Sequence, residues 1–215
     1  MRRVICAAMV VVAVCGSSVL AVEFDISGGY SHLKLEGSER FENRDGFRIE
    51  PRFMFKPIDE TPQLRIGFGM GISGYSHELD SDAIITIDHG DEVDVIHADQ
   101  WEALTLLEPE FQIAWRQGFG DGHWYVEPGV GIGAVFANYG ILNEWWWGDS
   151  DHNEWDSTFE VRPYLRVGYR SGSEGYTWSV GGEVSYMFAG NVDLTDQVHG
   201  DLSEFFAGAF FSANW

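Results

Sequence analysis

Arginine and glutamate recur at every second position in several stretches of this chain. Arg48, Glu50 and Arg52 form one such run; Glu108 and Glu110 form another; Arg162 and Arg166 lie four apart; Arg65, Glu127 and Glu183 stand in similar settings. A spacing of two puts side chains on one face of an extended strand. Guanidinium and carboxylate groups gathered on one enclosed face either pair into a buried ion network or line a narrow path for ions. Other residues invite different chemistry. Ser31-His32 and Ser76-His77 set a hydroxyl beside an imidazole, but strand neighbours point to opposite faces, so neither pair makes a nucleophile with its base. Tyr30 and Tyr75 share those histidines' faces and are the wrong type of nucleophile. His123 sits in an expected turn, and His89, His97, His152 and His199 sit in expected loops. No residue is assigned a catalytic role, and the chain is not expected to be an enzyme. Asp149-Ser150-Asp151-His152-Asn153 has the alternating oxygens of a calcium loop, but Glu154 stands where such loops need glycine. Asp149, Asp151 and Asn153 are therefore weak candidates for a divalent cation, and no cofactor or resident metal is expected.

The charged runs need strands to carry them, and eight segments alternate with period two. The first runs from Glu23 to Leu35, with Phe24, Ile26, Gly28 and Tyr30 on one face. In the second, Phe47, Ile49, Pro51, Phe53 and Phe55 oppose Arg48, Glu50 and Arg52. The third sets Leu64, Ile66, Phe68, Met70 and Ile72 against Arg65 and a row of glycines. The fourth sets Leu107, Pro109, Phe111, Ile113 and Trp115 against Glu108, Glu110 and Arg116. The fifth opposes Trp124, Val126, Pro128, Val130 and Ile132 to Glu127 and more glycines. The sixth opposes Phe159, Val161, Pro163, Leu165, Val167 and Tyr169 to Glu160, Arg162, Arg166 and Arg170. The seventh opposes Trp178, Val180, Val184 and Tyr186 to Ser179 and Glu183, and the eighth is the terminal stretch Phe205–Trp215. The connections alternate in length: short at 58–63, 117–123 and 171–175, longer at 37–45, 77–102, 137–157 and 189–202. Prolines at 51, 109, 128 and 163 sit mid-strand on the apolar face, where a bend or bulge is expected.

Residues 1–21 read as a secretory signal, with Arg2 and Arg3 ahead of the apolar run Val4 to Val14 and a cleavage site at Val19-Leu20-Ala21. The domain proper is then 22–215. Cys6 and Cys15 fall inside that leader, so the mature chain is expected to carry no disulfide and no thiol chemistry. The balance of 13 Lys+Arg against 34 Asp+Glu, net −21, leaves no basic footprint for nucleic acid.

Short turns on one side and longer loops on the other fit an all-β, eight-stranded antiparallel up-and-down transmembrane β-barrel. A soluble sandwich or lipocalin-like barrel would alternate too. The regular loop asymmetry, the aromatic ends of the apolar faces and the glycine-crowded opposite face favour lipid outside and a narrow lumen inside. The last strand carries Phe211, Ala213 and Trp215 on its apolar stripe. This resembles the terminal aromatic signal of bacterial outer-membrane barrels, which the barrel assembly machinery recognises. The whole mature chain is similar in pattern to the small outer-membrane barrels of the outer membrane protein A, X and W type. That resemblance implies an outer-membrane location, outer-membrane lipid and the assembly machinery as partners, and Arg–Glu pairs in the lumen. Counted from the short turns, Arg52, Glu110, Glu127 and Arg166 are expected in a lower layer, with Glu50, Glu108, Arg162 and Glu183 at or above it.

The outer loops are acidic. The second holds Glu78, Asp80, Asp82, Asp88, Asp91, Glu92, Asp94, Asp99 and Glu102, and the third sets Glu144, Asp149 and Asp151 beside Trp145-Trp146-Trp147. The expected function is a non-catalytic barrel with a side-chain-plugged lumen and a structural or surface-interaction role, its surface ligand unknown. A small channel for ions or apolar solutes and a lipid A-modifying enzyme are the alternatives.

Overall fold

The computed structural model describes residues 22–38, 41–57, 61, 63–78, 85–88, 93–96, 100–143, 153–173 and 176–214. The expected signal at 1–21, Trp215 of the terminal stripe, and Asp149 and Asp151 of the calcium-like loop lie outside them. Every regular element among the described residues is a strand. In chain order these are β1 (Val22–Glu36), β2 (Arg44–Phe55), β3 (Leu64–Glu78), β4 (Ile85–Asp88), β5 (Val93–Ile96), β6 (Gln100–Trp115), β7 (Gln117–Phe119), β8 (Trp124–Asn143), β9 (Asn153–Ser173), β10 (Tyr176–Thr195) and β11 (Val198–Asn214).

Eight of them close into a barrel. The order is β6-β3-β2-β1-β11-β10-β9-β8, and β6 pairs with β8 to complete the ring. Each strand runs antiparallel to its neighbours, and the terminal strand closes on the first in an unbroken register from Glu23↔Asn214 to Glu36↔Asp201. Closure leaves no sheet edge to be satisfied by lipid.

The alternation read from the sequence sets the faces. Ile26, Ile49, Phe68, Ile113, Ile132, Leu165 and Val180 point outward and are exposed. Aromatic residues gather at both margins of this belt: Trp115, Trp124 and Tyr176 on the short-turn side, Tyr30, Phe47, Phe159 and Phe188 on the other. A belt of exposed aliphatic residues between two aromatic margins suits a hydrocarbon layer bounded by two headgroup regions.

The prolines do not shift the register. Each sits where a ladder is interrupted on one side only. β2–β3 pairing skips Glu50 and Pro51 and resumes in phase at Arg52↔Gly69. β6–β8 pairing skips Glu108 and Pro109 and resumes in phase at Glu110↔Gly133. β9–β10 skips Arg162 and Pro163 likewise. Pro128 falls where the partner of β8 changes from β6 to β7. A residue without an N–H loses nothing where no ladder bond is made, so the expected bulge is not needed. The irregularities lie elsewhere, between Phe188 and Asn191 and between Asp193 and Thr195 on β10.

Several expected loops are strand. The stretch 189–202 is the hairpin of β10 and β11, turning at Asp196-Gln197. The loop expected at 137–157 is narrowed by β8 running to Asn143 and β9 starting at Asn153. The loop expected at 77–102 contains the hairpin β4–β5, and its last acid, Glu102, is a buried strand residue rather than a loop acid. The strands outrun the apolar belt, and above it their polarity inverts. On β1 the outward side changes from Phe24, Ile26 and Tyr30 to His32, Lys34 and Glu36, while the inward side changes from Glu23 and Asp25 to Leu33 and Leu35. On β10 and β11 the buried residues become Val192, Leu194, Val198 and Leu202, with Asp193, His199 and Asp201 outside. Above the belt the barrel has an apolar core and a polar surface, as a water-surrounded barrel does.

A candidate functional site in the barrel lumen

The inward side chains stack in tiers. At the short-turn end, Arg116 donates to both Glu23 oxygens at 2.9 and 2.8 Å and to Glu127 at 2.5 Å. Its guanidinium lies 4.4 Å from the centre of the Tyr125 ring. Arg65 is buried beside this tier and donates to the Leu64 carbonyl at 3.1 Å. In the next tier Arg166 donates to Glu183 at 2.9 Å and Asp25 at 2.7 Å, and sits 4.5 Å from the Phe210 ring centre. Arg52 donates to Glu50 and Glu183 and covers Tyr164.

The tier above is the densest. Arg162 donates to Glu108 at 2.5 Å, Glu110 at 3.0 Å and Glu204 at 2.8 Å. Arg48 reaches Glu50 at 2.8 Å, Glu110 at 3.2 Å and Glu204 at 3.4 Å, and also pairs with Glu108. Glu204 further accepts from Ser73 at 2.6 Å and from the Tyr75 hydroxyl. Gln112 donates to Glu50 at 2.6 Å. These charges are buried. Buried ions persist only where partners replace the lost water, and fork-shaped guanidiniums meet several carboxylates at once. The glycines of the inward faces make the room. A Cβ at Gly71 would strike the Arg48 guanidinium, and one at Gly131 would strike the Glu110 carboxylate.

The expected layering differs at two residues. Glu110 belongs with Arg48 and Arg162, and Glu183 lies one tier lower with Arg52 and Arg166. Counting from the turns ignores the tilt and stagger of barrel strands, so equal distance along neighbouring strands is not equal height. The sequence reading also stops short of Glu204, placing 189–202 in a loop. The inward stripe Leu202, Glu204, Phe206 continues the terminal alternation and would have exposed it. Glu23 and Asp25 likewise complete the inward face of β1. Phe211 points outward and pairs with Ile26 and Val180, and Ala213 pairs with Phe24 and Trp178. Of the calcium-like run, Asn153 begins β9 and the rest lies outside the described residues.

Above the charged tiers the lumen is apolar. Leu33, Leu35, Leu104, Leu106, Val135, Ala137, Met187, Val192, Val198 and Leu202 form one buried cluster. Phe41, from the β1–β2 connection, folds into it and meets Tyr139 edge-on at 6.1 Å. Ser38 holds that connection down, accepting from the Phe41 amide at 3.2 Å and donating to the Gln197 carbonyl at 3.1 Å. Tyr139 donates at 2.8 Å to Glu102. Among the described residues six buried arginines, Arg48, Arg52, Arg65, Arg116, Arg162 and Arg166, face ten buried acids: Glu23, Asp25, Glu50, Glu102, Glu108, Glu110, Glu127, Glu160, Glu183 and Glu204.

Outside the barrel, Asp45 accepts from the Tyr30 hydroxyl at 2.5 Å, and His32 Nδ1 lies 2.7 Å from the same oxygen. The trio is exposed and sits just above the outer aromatic margin. The Tyr30 hydroxyl and then His32 hold the Asp45 carboxyl below the usual aspartate range.

No protein-family model and no curated protein matches this sequence. Among solved structures the chain is similar to Neisserial surface protein A, at 13% identity and TM-score 0.51 over 92% of this chain and 97% of that one. It is the fold of the small eight-stranded outer-membrane barrels. Ail, the attachment invasion locus protein of Yersinia pestis, is similar at 12% identity and TM-score 0.43 over 90% and 98% of the two chains. That structure holds the heparin analogue sucrose octasulfate. The outer membrane protease OmpT of Escherichia coli is similar at 9% identity and TM-score 0.46, over 94% of this barrel and 100% of the other chain. At 13% identity the likeness to Neisserial surface protein A is one of fold.

Proposed function

We propose that this protein is a non-catalytic barrel of the outer membrane whose lumen is closed, and whose role is structural or lies in contacts made by its acidic outer loops. The observation that carries this reading is the stacking of two different fillings. The lower lumen is crossed by a network of Arg–carboxylate pairs, and the upper lumen is filled by an apolar cluster under Phe41. An ion passing through would have to break the first and enter the second, and both steps are costly. Outer-membrane lipid surrounds the belt, and the barrel assembly machinery reads the closing strand with Phe211 and Ala213. Export through a cleaved leader at 1–21 completes the route. A surface ligand would meet loops whose acids repel anionic surfaces.

The test is current recording from detergent-folded protein in planar bilayers. No discrete steps are expected. Reproducible single-channel steps would replace this reading with the small channel. A lipid A-modifying activity would appear as a mass change in lipid A from cells carrying the protein, and none is expected, because Ser31 is buried inside the barrel while its neighbour His32 points outward.

A further inference from the structure

The upper charged tier contains an acid that the arginines do not satisfy. Glu160 has no accessible surface, and neither of its oxygens accepts a hydrogen bond. The nearest guanidinium nitrogen, Arg162 Nη2, is 3.6 Å away. That nitrogen already donates to Glu108 at 2.5 Å and to the Met187 sulfur at 3.1 Å. Glu160 faces Glu108 and Glu110, and the three offer carboxylate oxygens that all lie within 4.8 Å of one another.

We propose that Glu108, Glu110 and Glu160 hold one divalent cation of calcium size within the lumen. Calcium takes oxygen ligands at about 2.3–2.6 Å, so oxygens bound to one ion lie no more than about 5 Å apart, the spread found here. The wider charge balance asks for it as well. Six buried guanidiniums do not neutralise ten buried carboxylates among the described residues, and arginine stays charged in proteins. An unneutralised carboxylate in a dry interior is costly unless an ion or a proton compensates it. Gly133 stands between Glu110 and Glu160, paired with both across β6, β8 and β9, and puts no side chain between them. Arg48 and Arg162 offset the charge of Glu108 and Glu110, so Glu160 is the ligand on which the ion depends. The apolar cluster above, with Met187 beside the site, closes the route from the outer side.

The test begins with full-length protein folded in detergent with calcium, passed through a desalting column and analysed for metal. One calcium per barrel is expected. Glu160→Gln should lose it while still running as a compact species on an unheated gel. The loop variant Asp149→Asn/Asp151→Asn should keep it. No calcium in the wild-type protein overturns the proposal. So does equal retention by Glu160→Gln. Infrared spectra supply a second readout. The part of the buried protonated-carboxyl band that Glu160→Gln removes belongs to Glu160, and calcium loading of the wild-type protein should remove that same part. Its persistence in the calcium-loaded protein means that a proton neutralises Glu160, and overturns the proposal.

Discussion

At the scale of single residues, Arg162 ties three strands together. It joins β9 to Glu108 and Glu110 on β6 and to Glu204 on β11. Arg162→Leu leaves those three carboxylates, and Glu160 beside them, to Arg48 alone. Breaking one side of a buried ion network costs about 3–5 kcal/mol, and urea unfolding of the barrel in phospholipid vesicles should show a loss of that order. A fall below about 1 kcal/mol, the size of an exposed pair, would mean that water enters the tier. Asp45 lies at the other extreme, on the surface. Its carboxyl is held low by the Tyr30 hydroxyl and His32, so this contact is intact at neutral pH and is lost as pH falls through the depressed value. An NMR titration should find Asp45 below the usual aspartate range and Tyr30→Phe should raise it. An unchanged titration in that variant would remove Tyr30 as the cause.

At the scale of elements, the inward glycines of β3 decide whether the charged tiers fit. Gly71 has the Arg48 guanidinium where its Cβ would be, whereas Gly74, on the outward face, has open space. Gly71→Val should therefore cost about 1–3 kcal/mol by overpacking, and Gly74→Ala should be nearly neutral in the same urea titration. Equal effects would mean that Arg48 moves aside freely. The prolines teach a related lesson. Their repetition along the chain suggests bends, yet each coincides with a one-sided gap in the ladder and leaves the register intact. The sequence shows where a donor is missing, and the pairing shows that none was needed there.

At the scale of the whole molecule, the barrel joins two environments along one set of strands. Below the outer aromatic margin it is apolar outside and charged inside. Above that margin it is polar outside and apolar inside. Every buried leucine of the upper cluster contributes on the order of 1.5–3 kcal/mol, so the extension stiffens the barrel as well as filling its mouth. A closed barrel of this kind should run as a compact species on an unheated detergent gel and shift on boiling. Absence of the shift, with protein soluble without detergent, would turn the face assignment inside out.

The direction of each side chain was legible in the sequence, because strand alternation is local: Arg48, Glu50 and Arg52 must share a face whatever surrounds them. The closing strand, its outward stripe of Phe211 and Ala213, and the even strand number followed from the same periodicity. Heights, partners and environment were not legible. Glu110 meets Arg48 and Arg162, while Glu183 meets Arg52 and Arg166, because tilt and stagger belong to the closed barrel and to no single strand. Leu202 and the cluster around Leu104 and Leu106 lie in stretches where the alternation inverts, and an inverted stripe reads as loop until the ring shows which side is inside; Glu204 lies just past such a stretch. The sequence alone determined which residues face together; only closure of the sheet decided which of them meet, and whether lipid, water or another charge surrounds them.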